Sequence, residues 1–319
     1  MSDRSIRGPR RRPWAAFVLG LMAATLIGGS AAAMPNVSRF KPRTACATLF
    51  PATNVWNKRV DSLPVRTDSD TLIGSMGTSA SLHPDFGTFA GYGIPINAVT
   101  RLTPRSPVDF WWPDESDAGP YPIPASPKIE GDGATGDRHL LMLDRSGCML
   151  WELYAAQLDA GGWTAGSGAI WDLRSNALRP DGWTSADAAG LPIAPGLARY
   201  PEVAAGAINH ALRFTVPTTR SAHIYPARHD AGAGTSSALP PMGLRLRLKA
   251  SVDIAAYGPQ SRVILTALKR YGMILADNGS AYYISGESNP LWDDDELHDL
   301  HGIKGSMFEA VNTSGFVNG

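Results

Sequence analysis

Glycine and proline punctuate this sequence so densely that no long regular element can run through it. The chain holds 33 glycines and 25 prolines in 319 residues. Both break helix interiors, glycine through its conformational entropy and proline through its missing N–H and its ring clash. Between the breaks lie short runs rich in apolar, β-branched and aromatic residues, at 92–99, 108–112, 138–143, 148–156, 168–173, 207–216, 223–225, 244–248, 273–276, 281–284 and 307–311. Short strands at that spacing predict a mainly β fold, a β-sandwich of jelly-roll or concanavalin-like kind with a few short peripheral helices and long loops. Helical spacing recurs at 261–271, where Val263, Ile264, Ala267, Leu268 and Tyr271 share a face and Gly272 follows as C′. Two shorter helices are expected at 293–300 and 68–77, and long loops at 113–127, 174–196 and 227–241. The Asp277-Asn278-Gly279 tripeptide predicts a tight primed hairpin turn. A hydrophobic fraction of 44% against 18% charged residues excludes a disordered chain.

The amino terminus reads as a secretory leader. Arg4, Arg7, Arg10, Arg11 and Arg12 precede an apolar run over 14–29 and the small residues Ser30 to Ala33, which predicts cleavage near Ala33. The apolar run is shorter than a bilayer span, so no stable membrane span is expected after cleavage. Residues 34–44 form a polar linker and 45–319 a single β-rich domain. Of the 29 basic and 29 acidic residues, the leader carries five arginines and one aspartate, which leaves 24 and 28 and a mature net charge of −4. No basic footprint argues for nucleic acid. The two cysteines, Cys46 and Cys148, both follow the leader, so an oxidising compartment would pair them. The expected location is secreted, extracellular or periplasmic, and the expected state is a monomer.

No Gly-x-Ser-x-Gly elbow, Walker loop, His-Glu-x-x-His or Cys-x-x-Cys is present, so serine esterase, nucleotide hydrolase and zinc readings lack support. What remains are polar residues on strand-like segments. On 148–156, alternation sets Glu152 and Tyr154 on one face with Cys148 and Leu150, and Met149, Trp151, Leu153 and Ala155 on the other. Glu130, Asp137 and His139 precede this strand, and Asp172, Arg174 and Asn176 close the next one. Glu152 paired with Asp172 or Asp137 offers acid and base for glycosidic hydrolysis, which needs two carboxyl groups about 5–10 Å apart. The plainer reading of these acids is ion pairing with Arg138, Arg174 and Arg179. Downstream, Arg213 with His210, His223, Tyr225 and His229 supplies the cation and base types that β-elimination of a uronic acid polymer requires.

The alternating segment 244–249 places its leucines in a core and turns Arg245, Arg247 and Lys249 outward, as a basic face or a solvated one. His298 and His301 near Asp294 suit the two ends of a helix dipole better than a metal, so no metal and no cofactor is expected. Trp111 and Trp112, with Tyr154, Asn176, Tyr225 and His229, are the candidate sugar-binding residues.

The segments 82–87, 179–192, 210–214 and 276–280 resemble an uncharacterised family of secreted microbial proteins. The resemblance spans nearly the whole mature chain and implies one domain, with no reaction and no catalytic residue attached. At fold level the strand pattern is similar to β-sandwich polysaccharide lyases and glycosidases. The sequence therefore predicts a secreted carbohydrate-active enzyme that cleaves a polysaccharide by hydrolysis or β-elimination. Its candidate catalytic residues are Glu152, Asp172, Asp137, His139, His210 and Arg213. The alternative is a non-catalytic glycan-binding or cell-surface module.

Overall fold

Thirteen strands organise the chain in a computed structural model that describes Cys46 and residues 48–89, 91–133 and 136–316. The leader and the linker expected over 34–44 lie outside the described residues. The strands are β1 (His83–Asp85), β2 (Ile96–Ala98), β3 (Val108–Phe110), β4 (Leu140–Asp144), β5 (Met149–Tyr154), β6 (Gln157–Asp159), β7 (Gly162–Ala165), β8 (Ser167–Asp172), β9 (Leu212–Val216), β10 (Arg245–Leu248), β11 (Met273–Asn278), β12 (Tyr283–Ser285) and β13 (Phe308–Ala310). Four short α-helices accompany them: α1 (Ser69–Met76), α2 (Tyr200–Ala204), α3 (Pro259–Arg270) and α4 (Asp294–Asp299). The fold is thus mainly sheet, as expected. The strands form three open sheets, ordered β1-β12-β9-β11-β10-β13, β2-β4-β5-β8 and β3-β7-β6.

The four-stranded sheet is dry on both faces. Leu141, Leu143, Cys148 and Leu150 join the core shared with the six-stranded sheet, which includes Phe214 and Ile274. Leu140, Met142, Trp151 and Leu153 join a second core with Val108, Tyr121 and Ala165. Burial on both faces explains why β4 reads Leu-Leu-Met-Leu without alternation. In the six-stranded sheet β9 and β11 run parallel. The chain between them makes β10 and then α3, whose Ile264, Leu265, Ala267 and Leu268 are buried. Gly272 ends that helix with φ 67°, and a Cβ there would strike the Leu246 carbonyl oxygen.

Three expectations need correction. The 277–279 tripeptide is not a hairpin turn: β11 continues through Asn278, and β11 and β12 flank β9 on opposite sides. Gly279 takes no positive φ; instead the chain crosses the end of β9, with Gly279 N–H donating to Val216 and Tyr282 N–H to Thr215. Arg245 and Arg247 form no outward basic face. Arg245 is 2% exposed and donates to the carbonyls of Val55, Lys58 and Tyr271, while Arg247 binds Glu309 and the carbonyls of Val60 and Leu63. The segment 55–63 lies against β10, and its carbonyls accept the guanidinium donors. The expected strand at 223–225 is a single bridge, His223 to Met242.

Cys46 and Cys148 form a disulfide with Cα atoms 5.5 Å apart and a sequence separation of 102. It ties the first described residue to the start of β5. No helix among the described residues is long and apolar enough to cross a membrane. In the loop-entropy account a bridge of this span stabilises by about 4–5 kcal/mol. Replacing both cysteines with serine should lower stability by that order, read as a fall in denaturant midpoint at unchanged slope. An unchanged midpoint would show that the bridge adds nothing.

Candidate active site

Two adjoining cavities of about 270 and 220 Å³ share Asp137, Asp277 and Asn278 and form one cleft over the six-stranded sheet. Its floor comes from that sheet: Arg213 and Thr215 of β9, Asp277 near the end of β11, Asp85 at the end of β1, and Tyr283 and Ser285 of β12. Its opposite wall comes from the chain entering β4, with Glu130, Asp137 and His139. The 174–196 loop adds Asp187. Asp137 is exposed, and its carbonyl accepts the Ala155 N–H, which clips it to the end of β5 beside Tyr154.

A buried ion pair anchors the cleft. Arg213 Nε and Nη2 donate to the two Asp187 carboxylate oxygens at 2.9 and 2.8 Å, and Nη1 donates to Ser285 Oγ. The two side chains are 5% and 0% exposed. This two-point geometry fixes the guanidinium plane. Asp277 approaches the same guanidinium only to 3.8 Å and keeps 24% of its side chain exposed. Burial first, and then the Asp187 charge, push the Asp277 carboxyl up to about 7, with Arg213 opposing. Asp277 therefore holds its proton close to neutrality while facing solvent space.

A second pair lies in the opposite wall. Glu130 Oε2 sits 2.6 Å from His139 Nδ1, and His139 Nε2 donates to the Ala186 carbonyl at 3.1 Å. Burial alone would lower the His139 pKa, but the Glu130 carboxylate outweighs it and raises it to about 9. Glu130 in turn is held below its ordinary range: burial would raise it, and the His139 charge overcomes that. The rim is aromatic. Trp112 and Tyr154 line the mouth, stacked at 6.3 Å between ring centres, and Trp111 meets Trp112 edge-on. Trp111 and Trp112 are 60% and 49% exposed.

Of the expected catalytic residues, Asp137, His139 and Arg213 converge here, and the other three lie elsewhere. Glu152 is fully buried behind the cleft, where it accepts from Trp171 Nε1 and from the Ile193 and Ala194 amides. Its face of β5 looks into a core rather than a groove, so it anchors the 174–196 loop. Asp172 is half exposed at the end of β8 and pairs with Arg174 at 2.8 Å. His210 is buried against Glu202 and its neighbour's carbonyl, in a separate groove beside Arg199. Among the expected binding residues, Trp112 and Tyr154 line the cleft. Asn176 bonds Thr53 and Asn54, Tyr225 lines a narrow cavity with Trp56 and Trp171, and His229 bonds the Ala188 carbonyl. His301 binds His83 Nδ1 at 2.8 Å, and no group of three metal-ligating side chains occurs among the described residues.

Asp277, Asp187 and Asp85 are the site residues that sequence reasoning missed. Asp277 was legible as an acid ending an apolar strand, had Asn278-Gly279 not read as a turn. Comparison of the chain with family models, curated proteins and solved structures returns no match.

The Glu130–His139 pair carries a pH signature. A histidine raised from 6.5 to about 9 stabilises fully below 6.5 and loses that contribution as pH rises through 9. The lowered Glu130 stabilises above its ordinary 4.5 and loses it on acidification. Glu130→Gln should therefore cost about 3–5 kcal/mol between pH 5 and 6.5, and less above pH 9, in denaturant titrations. A cost that does not vary with pH would contradict the pairing.

Proposed function

We propose that the chain is a secreted glycoside hydrolase acting as a monomer on a polysaccharide. The observation that carries this reading is the meeting, in one cleft, of two carboxyl groups in different surroundings: Asp277, which burial pushes up to about 7, and the exposed Asp137. Glycoside hydrolysis needs that pair of states: an acid to protonate the leaving oxygen, and a carboxylate to activate water or attack the anomeric carbon. Asp277 is assigned the acid and Asp137 the second carboxylate. Arg213 and Asp187 hold Asp277 in place, and Glu130 and His139 stiffen the wall. Trp111, Trp112 and Tyr154 supply flat apolar faces for sugar rings. Export is supported by the leader-like amino terminus and by the disulfide. The finer architecture, a jelly-roll or concanavalin-like sandwich, belongs to this proposal, with two sheets sharing one core as its support.

Hydrolysis is favoured over β-elimination because the bases offered for elimination, His210, His223, Tyr225 and His229, do not line the cleft. The glycan-binding alternative has one observation in its favour, the exposed indoles of the rim. Incubation with a polysaccharide panel, read as reducing ends, separates the two. Wild type should release sugars, with a rate that falls about tenfold per unit above pH 7 as Asp277 loses its proton. Asp277→Asn and Asp137→Asn should each lower kcat by about 10²–10⁴-fold, and Trp112→Ala should chiefly raise KM. Retention of a glycan without any release would support the binding module instead.

A further inference from the structure

The charged groups of the cleft wall decide which glycans it admits. Five carboxyl groups line the two cavities, those of Asp85, Glu130, Asp137, Asp187 and Asp277, against two cations, Arg213 and His139. Both cations are buried and already paired. Each of the three Arg213 nitrogens already donates, to Asp187 and Ser285, and the side chain is 5% exposed. His139 is 3% exposed, and both ring nitrogens are engaged, by Glu130 and by the Ala186 carbonyl. The groups left facing the open space are the exposed Asp85 and Asp137 and the partly exposed Asp277. No lysine lines either cavity. A carboxylate or sulfate on a sugar ring would thus meet the Asp85 and Asp137 carboxylates with no exposed cation beside them, and repulsion between like charges strengthens where water is excluded. Hydroxyl and amino groups would find acceptors on the same oxygens.

We propose that the cleft takes glycans whose rings carry no anionic group, neutral or amino-bearing, and rejects uronate and sulfated chains. This rests on the glycosidase reading and names its substrate class. Asp85 is the specificity-determining residue, since hydrolysis asks of it neither the acid nor the second carboxylate role.

The test offers the protein neutral, amino-bearing and uronate polysaccharides, then compares any chain it cleaves with the same chain oxidised at C6 to the carboxylate. The parent chain should be cleaved at least 50-fold faster in kcat/KM than its oxidised form. In Asp85→Asn that ratio should narrow by fivefold or more. Equal or faster cleavage of the oxidised chain, or an unchanged ratio in the variant, overturns the proposal while leaving the glycosidase reading intact. If no chain is cleaved, the glycosidase reading falls, and charge preference is read from retardation in gels cast with each polymer. Retardation by neutral or amino polymers alone then supports the charge rule, whereas retardation by uronate polymers, or by none, overturns it.

Discussion

The buried pair between Arg213 and Asp187 is the interaction on which the candidate site depends. It joins the middle of the largest sheet to the long 174–196 loop, with the aspartate wholly out of contact with water. Removing one partner of such a pair leaves an uncompensated buried charge and costs about 3–5 kcal/mol. The same loop is held by Arg179, which donates to Asp117 and to the Glu115 and Thr184 carbonyls, and by Glu152, which accepts the Ile193 and Ala194 amides. Charged side chains here do the work that backbone pairing does within a sheet. A loop with a single backbone bond to β11, from the Ala189 N–H to the Ala276 carbonyl, can then hold a fixed carboxylate at the cleft wall.

The electrostatic consequence matters as much as the mechanical one. An arginine facing Asp277 alone would draw the carboxyl toward ionisation. Because Asp187 holds the guanidinium at two points, Asp277 remains at 3.8 Å and feels a pair that is nearly neutral. Burial then decides its protonation. The Glu130–His139 pair repeats the arrangement on the opposite wall, so both cations of the cleft serve the protein's own carboxylates.

Much of the strand framework was legible because it rests on local signals. Apolar runs bounded by glycine and proline gave β4, β5, β8, β9 and β11, and the face assignment along β5 was right. What sequence could not supply was the environment of each face. Glu152 was expected in a groove, yet its face meets the core shared with the six-stranded sheet; Arg245 was expected outside, yet the 55–63 segment covers it. β1 went unread because Pro84 interrupts its pattern, and proline is tolerated there because β1 is a sheet edge. Within the site, Asp137, His139 and Arg213 were found because they stand on or beside strands. Asp277 was hidden by turn chemistry that the fold does not use, and Asp187 by a run of small residues whose position only long-range packing determines.

The central claim is that the fold keeps Asp277 protonated near neutrality inside an open cleft. The direct measurement is a titration of the Asp277 carboxyl carbon by ¹³C NMR, assigned by its loss in Asp277→Asn. The account predicts a midpoint near 7. A midpoint near the ordinary 3.8 of an aspartate would leave the cleft without its acid and contradict the account.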